Sequence, residues 1–160
     1  MPCFVTEIDD EHKEIFEAVS DLQRALSEQR PTPEVQEAVQ RLVRRTGDHF
    51  AHEERLMRAA RYSSMRWHKT QHDGARRRVE QFVSRIEAGE LEAGTALVEH
   101  LSSWLRDHTR LADRMMGAFL RNQRRIGKVT IQTGTKPLGA GDWVDSNGDP
   151  FDPRASVGCT

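Results

Sequence analysis

Seven histidines stand in a chain of 160 residues, and their spacing is that of metal ligands. His49 precedes Glu53 by four residues, and His68 precedes His72 by four. Residues four apart project from one helical face, so each pair forms a two-ligand clip. His12, His108 and Asp113 supply further donors from other stretches of chain. Five imidazoles and two carboxylates are too many for one ion, whereas two ions bridged by the two acids would use all seven. Imidazole mixed with carboxylate suits iron, and an oxygen-only site for magnesium or calcium is excluded. Zinc takes four ligands in a closed site and fits the set poorly. Two other metal patterns fail. His52 and Glu53 begin a zinc-protease motif, but Leu56 occupies the place of its second histidine. Ferritin-like di-iron oxidases need Glu-x-x-His pairs, and the chain has none.

These residues must be positioned by helices. A first segment, about residues 9–28, aligns His12, Ile15, Phe16, Val19, Leu22 and Leu26 at helical spacing. Pro31 interrupts it, and Thr32 then reads as an N-cap with Pro33 as first helical residue of a second segment reaching about residue 61. Its inner stripe is Val35, Val39, Leu42, Val43, Thr46, His49, Phe50, Glu53, Leu56 and Met57. A third segment follows a break at Tyr62, Ser63 and Ser64, and runs through Met65, His68, His72, Ala75, Val79, Phe82, Val83 and Ile86 to Gly89, a C-terminal stop. The fourth, about residues 93–127, carries Leu97, Leu101, Trp104, Leu105, His108, Ala112, Met115 and Phe119. Short connections make consecutive helices antiparallel, which predicts an all-α, up-down-up-down four-helix bundle over residues 1–126.

Height within that bundle is the decisive test. His12 lies about 16 residues before the first helix ends, and His49 about 16 after the second begins. Glu53 and His68 lie about eight and six residues from their shared turn; His72 and His108 lie about 16 and 15 from theirs. All three connections therefore bring the polar residues to one level. Burying so many polar groups without partners would cost several kcal/mol for each charged one, and bound metal removes that cost. Asp113 is the irregular member, because five residues place it about 140° from His108 on an ideal helix. Its carboxylate reaches sideways, or the helix makes a π-type turn.

Composition narrows the remaining classes. The chain has 24 Lys and Arg against 25 Asp and Glu, with no clustered basic excess for a nucleic-acid partner. No apolar run approaches the roughly 18 residues of a membrane span. The first residues lack the features of a signal peptide, so a cytoplasmic protein is expected. Cys3 and Cys159 are two isolated thiols and not a disulfide framework. Residues 127–160 turn to Gly, Pro, Asp, Ser and Thr and read as an extended or partly disordered C-terminal tail, with a short strand expected at 129–133. Asp145, Asn147 and Asp149 resemble the start of a calcium loop, but Pro150 replaces its required glycine and Ser156 its final glutamate, which leaves a turn-rich loop.

The motifs Ile8-Asp-Asp-Glu-His12-Lys-Glu-Ile-Phe16, His49-Phe-Ala-His-Glu53-Glu-Arg-Leu-Met57, His68-Lys-Thr-Gln-His72 and Trp104-Leu-Arg-Asp-His108-Thr-Arg-Leu-Ala-Asp113 resemble those of the bacterial hemerythrins. The likeness covers about residues 8–120. The family is itself a standard example of the four-helix bundle, so the resemblance implies that fold too. It implies two iron ions with an oxo or hydroxo bridge, and reversible dioxygen binding for carriage, storage or delivery without turnover. By the same resemblance His68, His72 and His108 bind one iron and His12 and His49 the other, with Glu53 and Asp113 bridging and one position open beside the histidine pair. Leu105 matches a pocket leucine of the family; Phe50, Phe16 and Leu56 are further pocket candidates that plain core packing would equally explain. His52 and His100 fall outside the ligand pattern and read as surface residues or as partners of ligands. Thr109 follows His108 where the family often has an aliphatic residue. Two alternatives use the same centre, an enzyme reacting with peroxide or nitric oxide and a sensor acting through the tail or a partner.

Overall fold

A computed structural model describes residues 6–125 of the chain. The tail, its expected strand, the calcium-like loop, residues 1–5 and both cysteines lie outside the described residues. Within them the structure is helical: α1 (Thr6–Ser27), α2 (Thr32–Ala59), α3 (Met65–Glu87), α4 (Glu92–His108), a π-helical turn (Thr109–Asp113) and α5 (Arg114–Arg125). Backbone angles at both junctions of the π turn stay right-handed helical, so α4, the turn and α5 form one rod. Each rod packs on its neighbour in sequence and α1 closes against α4, which makes the expected four-rod bundle.

The first three helices end in one device. Gln29, Arg61 and Gly89 adopt left-handed angles, with φ of 50°, 53° and 96°. The following N–H groups of Arg30, Tyr62 and Glu90 reach back to the carbonyls of Ala25, Met57 and Arg85. This closes each helix in Schellman fashion and turns the chain back within a few residues. Only Gly89 announces the stop in its residue type. Thr32, expected as a cap, is instead the first helical residue. Pro31 holds the cap position at φ −53° and ψ 143° without a side-chain bond, and Pro33 falls in the first turn, where its missing N–H costs nothing.

Two apolar clusters fill the interior. The larger joins Ile15, Leu22, Leu42, Phe82, Leu97, Leu101 and Leu105, and the smaller joins Ile8, Leu56, Met57, Tyr62, Met116 and Leu120. The histidine layer lies between them along the chain of every rod. Three expectations are corrected. Phe16 is 41% exposed; the buried arc of α1 is displaced toward Ala18 and Ala25, leaving Phe16 on the opposite flank. Met115 is 46% exposed while Met116 is buried, and Leu120 replaces Phe119 as the buried residue below it. The cause is the π turn, whose wider loop inserts one extra residue and advances the inner stripe by one position downstream.

Candidate metal centre

All seven residues singled out by spacing meet at the middle of the bundle, and none is more than 5% exposed. Their atoms form two overlapping groups, Glu53 with His68, His72 and His108, and Glu53 and Asp113 with His12 and His49. The carboxylates straddle the two. Glu53 Oε2 lies 3.2 Å from Nε2 of both His68 and His72 and 3.8 Å from His49 Nε2. Asp113 Oδ1 lies 3.0 Å from His108 Nε2 and 3.3 Å from His68 Nε2, while its Oδ2 lies 3.0 Å from His12 Nε2. The π turn brings Asp113 inward, which settles the choice left open by its five-residue spacing from His108.

Hydrogen bonding among these residues does not account for their burial. His12 Nε2, His49 Nε2 and both oxygens of Glu53 and of Asp113 have no aligned hydrogen-bond partner. His108 Nε2 lies 2.9 Å from His68 Nε2 and 3.1 Å from His72 Nε2. Three ring nitrogens facing one another so closely cannot all act as donors. Donors at about 2.1 Å from one ion lie about 3.0 Å apart at right angles and about 3.4 Å apart in a tetrahedron. Separations of this size are those of donors arranged around one ion, and a cation at each focus would satisfy the orphaned atoms.

Charge is distributed accordingly. Burial and neighbouring Asp113 push the Glu53 carboxyl up, but His49, His68 and His72 outweigh them and hold it down at about 2. Burial likewise opposes ionisation of Asp113, yet His108, His12 and His68 keep it well below the usual carboxylate range. His68 loses to burial but gains more from Asp113 and Glu53, and rises to about 9. His49 is raised in the same way, against its burial, by Glu53, Glu11 and Asp113. Burial dominates at His108 and lowers it.

A ring of outer partners orients the imidazoles. His49 Nδ1 lies 3.0 Å from Glu11, His72 Nδ1 3.1 Å from Glu54, and His108 Nδ1 3.3 Å from Gln71. An ionised carboxylate only accepts, so Nδ1 donates to Glu11 and Glu54 and the Nε2 lone pair is left facing inward. Arg76 holds Glu54 at 2.9 Å, and His52, which does not touch the centre, holds Glu11 at 2.5 Å. Phe50 stacks on His72 with centroids 4.0 Å apart, and Trp104 on His108 at 4.3 Å. Glu11, Glu54, Gln71 and Arg76 were not legible as site residues. For Glu11, Glu54 and Gln71 the available signal was adjacency, since the residue beside a candidate ligand lies about 100° around the helix and meets the next rod. Of the remaining pocket candidates, Leu105 and Phe50 are 1% and Leu56 is 5% exposed, and Phe16 is at the surface. His100 packs near Phe82, away from the centre.

Residues 3–120 match the family model described as the hemerythrin HHE cation binding domain. The chain is 39% identical over 106 residues to a bacteriohemerythrin of Pseudomonas aeruginosa, covering 66% of this chain and 68% of that one. A bacteriohemerythrin of Stenotrophomonas maltophilia is 35% identical, covering 64% and 66%. A myohemerythrin of Sipunculus nudus is 28% identical, covering 66% and 77%.

Proposed function

From the premise that the chain belongs to the hemerythrin family, we propose that His68, His72 and His108 hold one iron, that His12 and His49 hold the other, and that Glu53 and Asp113 bridge them. The observation that carries this is the two overlapping groups of buried donors that share an acid. The di-iron centre supplies the protein's activity, reversible binding of dioxygen. The half with two imidazoles has one protein ligand fewer than the half with three, which leaves room there for a small ligand.

The chain's own part is positioning and exclusion. Glu11 and Glu54 keep one imidazole in each half aimed inward. Leu105 from the larger apolar cluster and Leu56 and Met57 from the smaller close the layer along the bundle axis. These side chains would exclude water, and with it protons, from a ligand held there. Carriage, storage or delivery without turnover is the role we assign, in the cytoplasm. No helix among the described residues is long and apolar enough to cross a membrane.

The test is a gas cycle. Reduced, iron-loaded protein is mixed with air and the oxygen is then removed under vacuum. Return of the starting spectrum is expected. Rapid one-way oxidation, accelerated by peroxide or nitric oxide, would replace the carrier with an enzyme.

A further inference from the structure

We propose that the Thr109 hydroxyl donates a hydrogen bond to the small ligand taken up at the His12–His49 half, which favours ligands that carry or acquire negative charge. The inference rests on the metal-centre reading above and adds to it a residue that acts on the ligand. Thr109 is 5% exposed and its Oγ1 is buried without an aligned hydrogen-bond partner. That is unusual for a helical threonine, which ordinarily bonds the carbonyl four residues back. Thr46 does so to Leu42 and Thr70 to Arg66, both at 2.9 Å. Thr109 opens the π turn, where the ordinary pattern of backbone bonds is interrupted.

Direction follows from the rod's neighbours. A methyl added to Gly94 would lie 3.0 Å from Leu26 of α1, so Gly94 marks the flank facing α1. His100 packs near Phe82 and marks the flank facing α3. At about 100° per residue, Thr109 falls opposite His100 and within about 60° of Gly94. It therefore faces α1, the helix of His12. Leu105, Thr109 and Asp113 follow at four-residue intervals, and Asp113 reaches His12 at 3.0 Å. The unmet donor thus sits a turn from a bridging acid, on the side of the half with fewer protein ligands. A buried hydroxyl in such a place is costly until something accepts from it. A bound diatomic gas that draws electron density from the metals, or a small anion, is such an acceptor.

The test uses Thr109→Val, which keeps the side chain's shape and removes the hydroxyl, and Thr109→Ser, which keeps the hydroxyl. Azide is titrated into oxidised iron-loaded protein, oxygen release is timed from the reduced form, and urea unfolding is measured on metal-free protein. Thr109→Val should bind azide about tenfold more weakly and release oxygen about tenfold faster. Its metal-free form should unfold at equal or higher urea, because an unmet polar atom has gone. Thr109→Ser should stay within about threefold of the parent in both ligand assays. Ligand binding by Thr109→Val that matches the parent overturns the proposal, as does Thr109→Ser behaving like Thr109→Val. Loss of metal-free stability in Thr109→Val also overturns it, since the hydroxyl would then already have a partner. A parent that takes up iron but neither azide nor oxygen would overturn the functional reading itself.

Discussion

With its ions stripped, the bundle must hold its buried imidazoles and carboxylates by their mutual charge, and its stability then falls with rising pH where that of the loaded protein does not. His68 rises from 6.5 to about 9 on folding, because Asp113 and Glu53 outweigh its burial, and His49 shifts the same way. A group raised on folding contributes its full stability below the unfolded value and loses it as pH climbs through the folded one. At about 1.4 kcal/mol per unit, His68 alone amounts to about 3 kcal/mol lost between pH 6.5 and 9. That is a large part of a small domain's net stability. Loaded protein should not show this loss, since metal holds the imidazoles without their protons in the folded state; its stability rises only as the unfolded histidines deprotonate near pH 6.5 and is level above that. The acid side runs the other way: Glu53 falls from 4.5 to about 2 on folding, and its contribution is lost as pH drops through that range. Urea unfolding of chelator-treated and iron-loaded protein, at fixed ionic strength from pH 6 to 9.5, measures both slopes. Metal-free stability that is flat or rising from pH 6.5 to 9 would refute the charge assignment.

Further substitutions probe the support around the centre. Glu11→Leu leaves His49 Nδ1 without its acceptor and should weaken metal binding at the two-histidine half about 10- to 100-fold, with partial recovery in Glu11→Gln, whose amide oxygen still accepts; competition with a calibrated chelator reads this directly. Phe50→Ala removes a ring stacked on His72 and should destabilise metal-free protein by about 3–5 kcal/mol, whereas Phe16→Ser at the surface should cost under about 1 kcal/mol. Equal losses for the two in urea unfolding would mean that the inner face of the bundle is wrongly assigned.

The convergence of the buried histidines and acids was legible because it depends on two quantities a sequence carries openly, the period of a helix and the distance of each residue from a turn. His12, His49, Glu53, His68, His72 and His108 needed nothing else. Asp113 was legible only as an irregularity, and the π turn that admits it also moved the stripe below from Met115 and Phe119 to Met116 and Leu120. A periodicity argument cannot register an extra residue without knowing where the backbone yields. Phe16 misled because helical spacing allows it at one edge of the apolar stripe, while the small residues Ala18 and Ala25 extend the packed side of α1 in the other direction. The turns at Gln29 and Arg61 were hidden for a related reason, since a left-handed residue other than glycine leaves little mark in composition. Glu11 and Glu54 stand beside His12 and Glu53 and reach across to His49 and His72 of the next helix, a relation between rods that no single segment displays.

The central claim is that donors from four rods converge to hold two ions joined by shared acids. Anaerobic titration of metal-free protein with ferrous iron tests it most directly. Two tight equivalents per chain are predicted from the two donor groups, dropping to at most one in Glu53→Ala and remaining two in His52→Ala. A single equivalent in the parent chain, or two undiminished in Glu53→Ala, would contradict it.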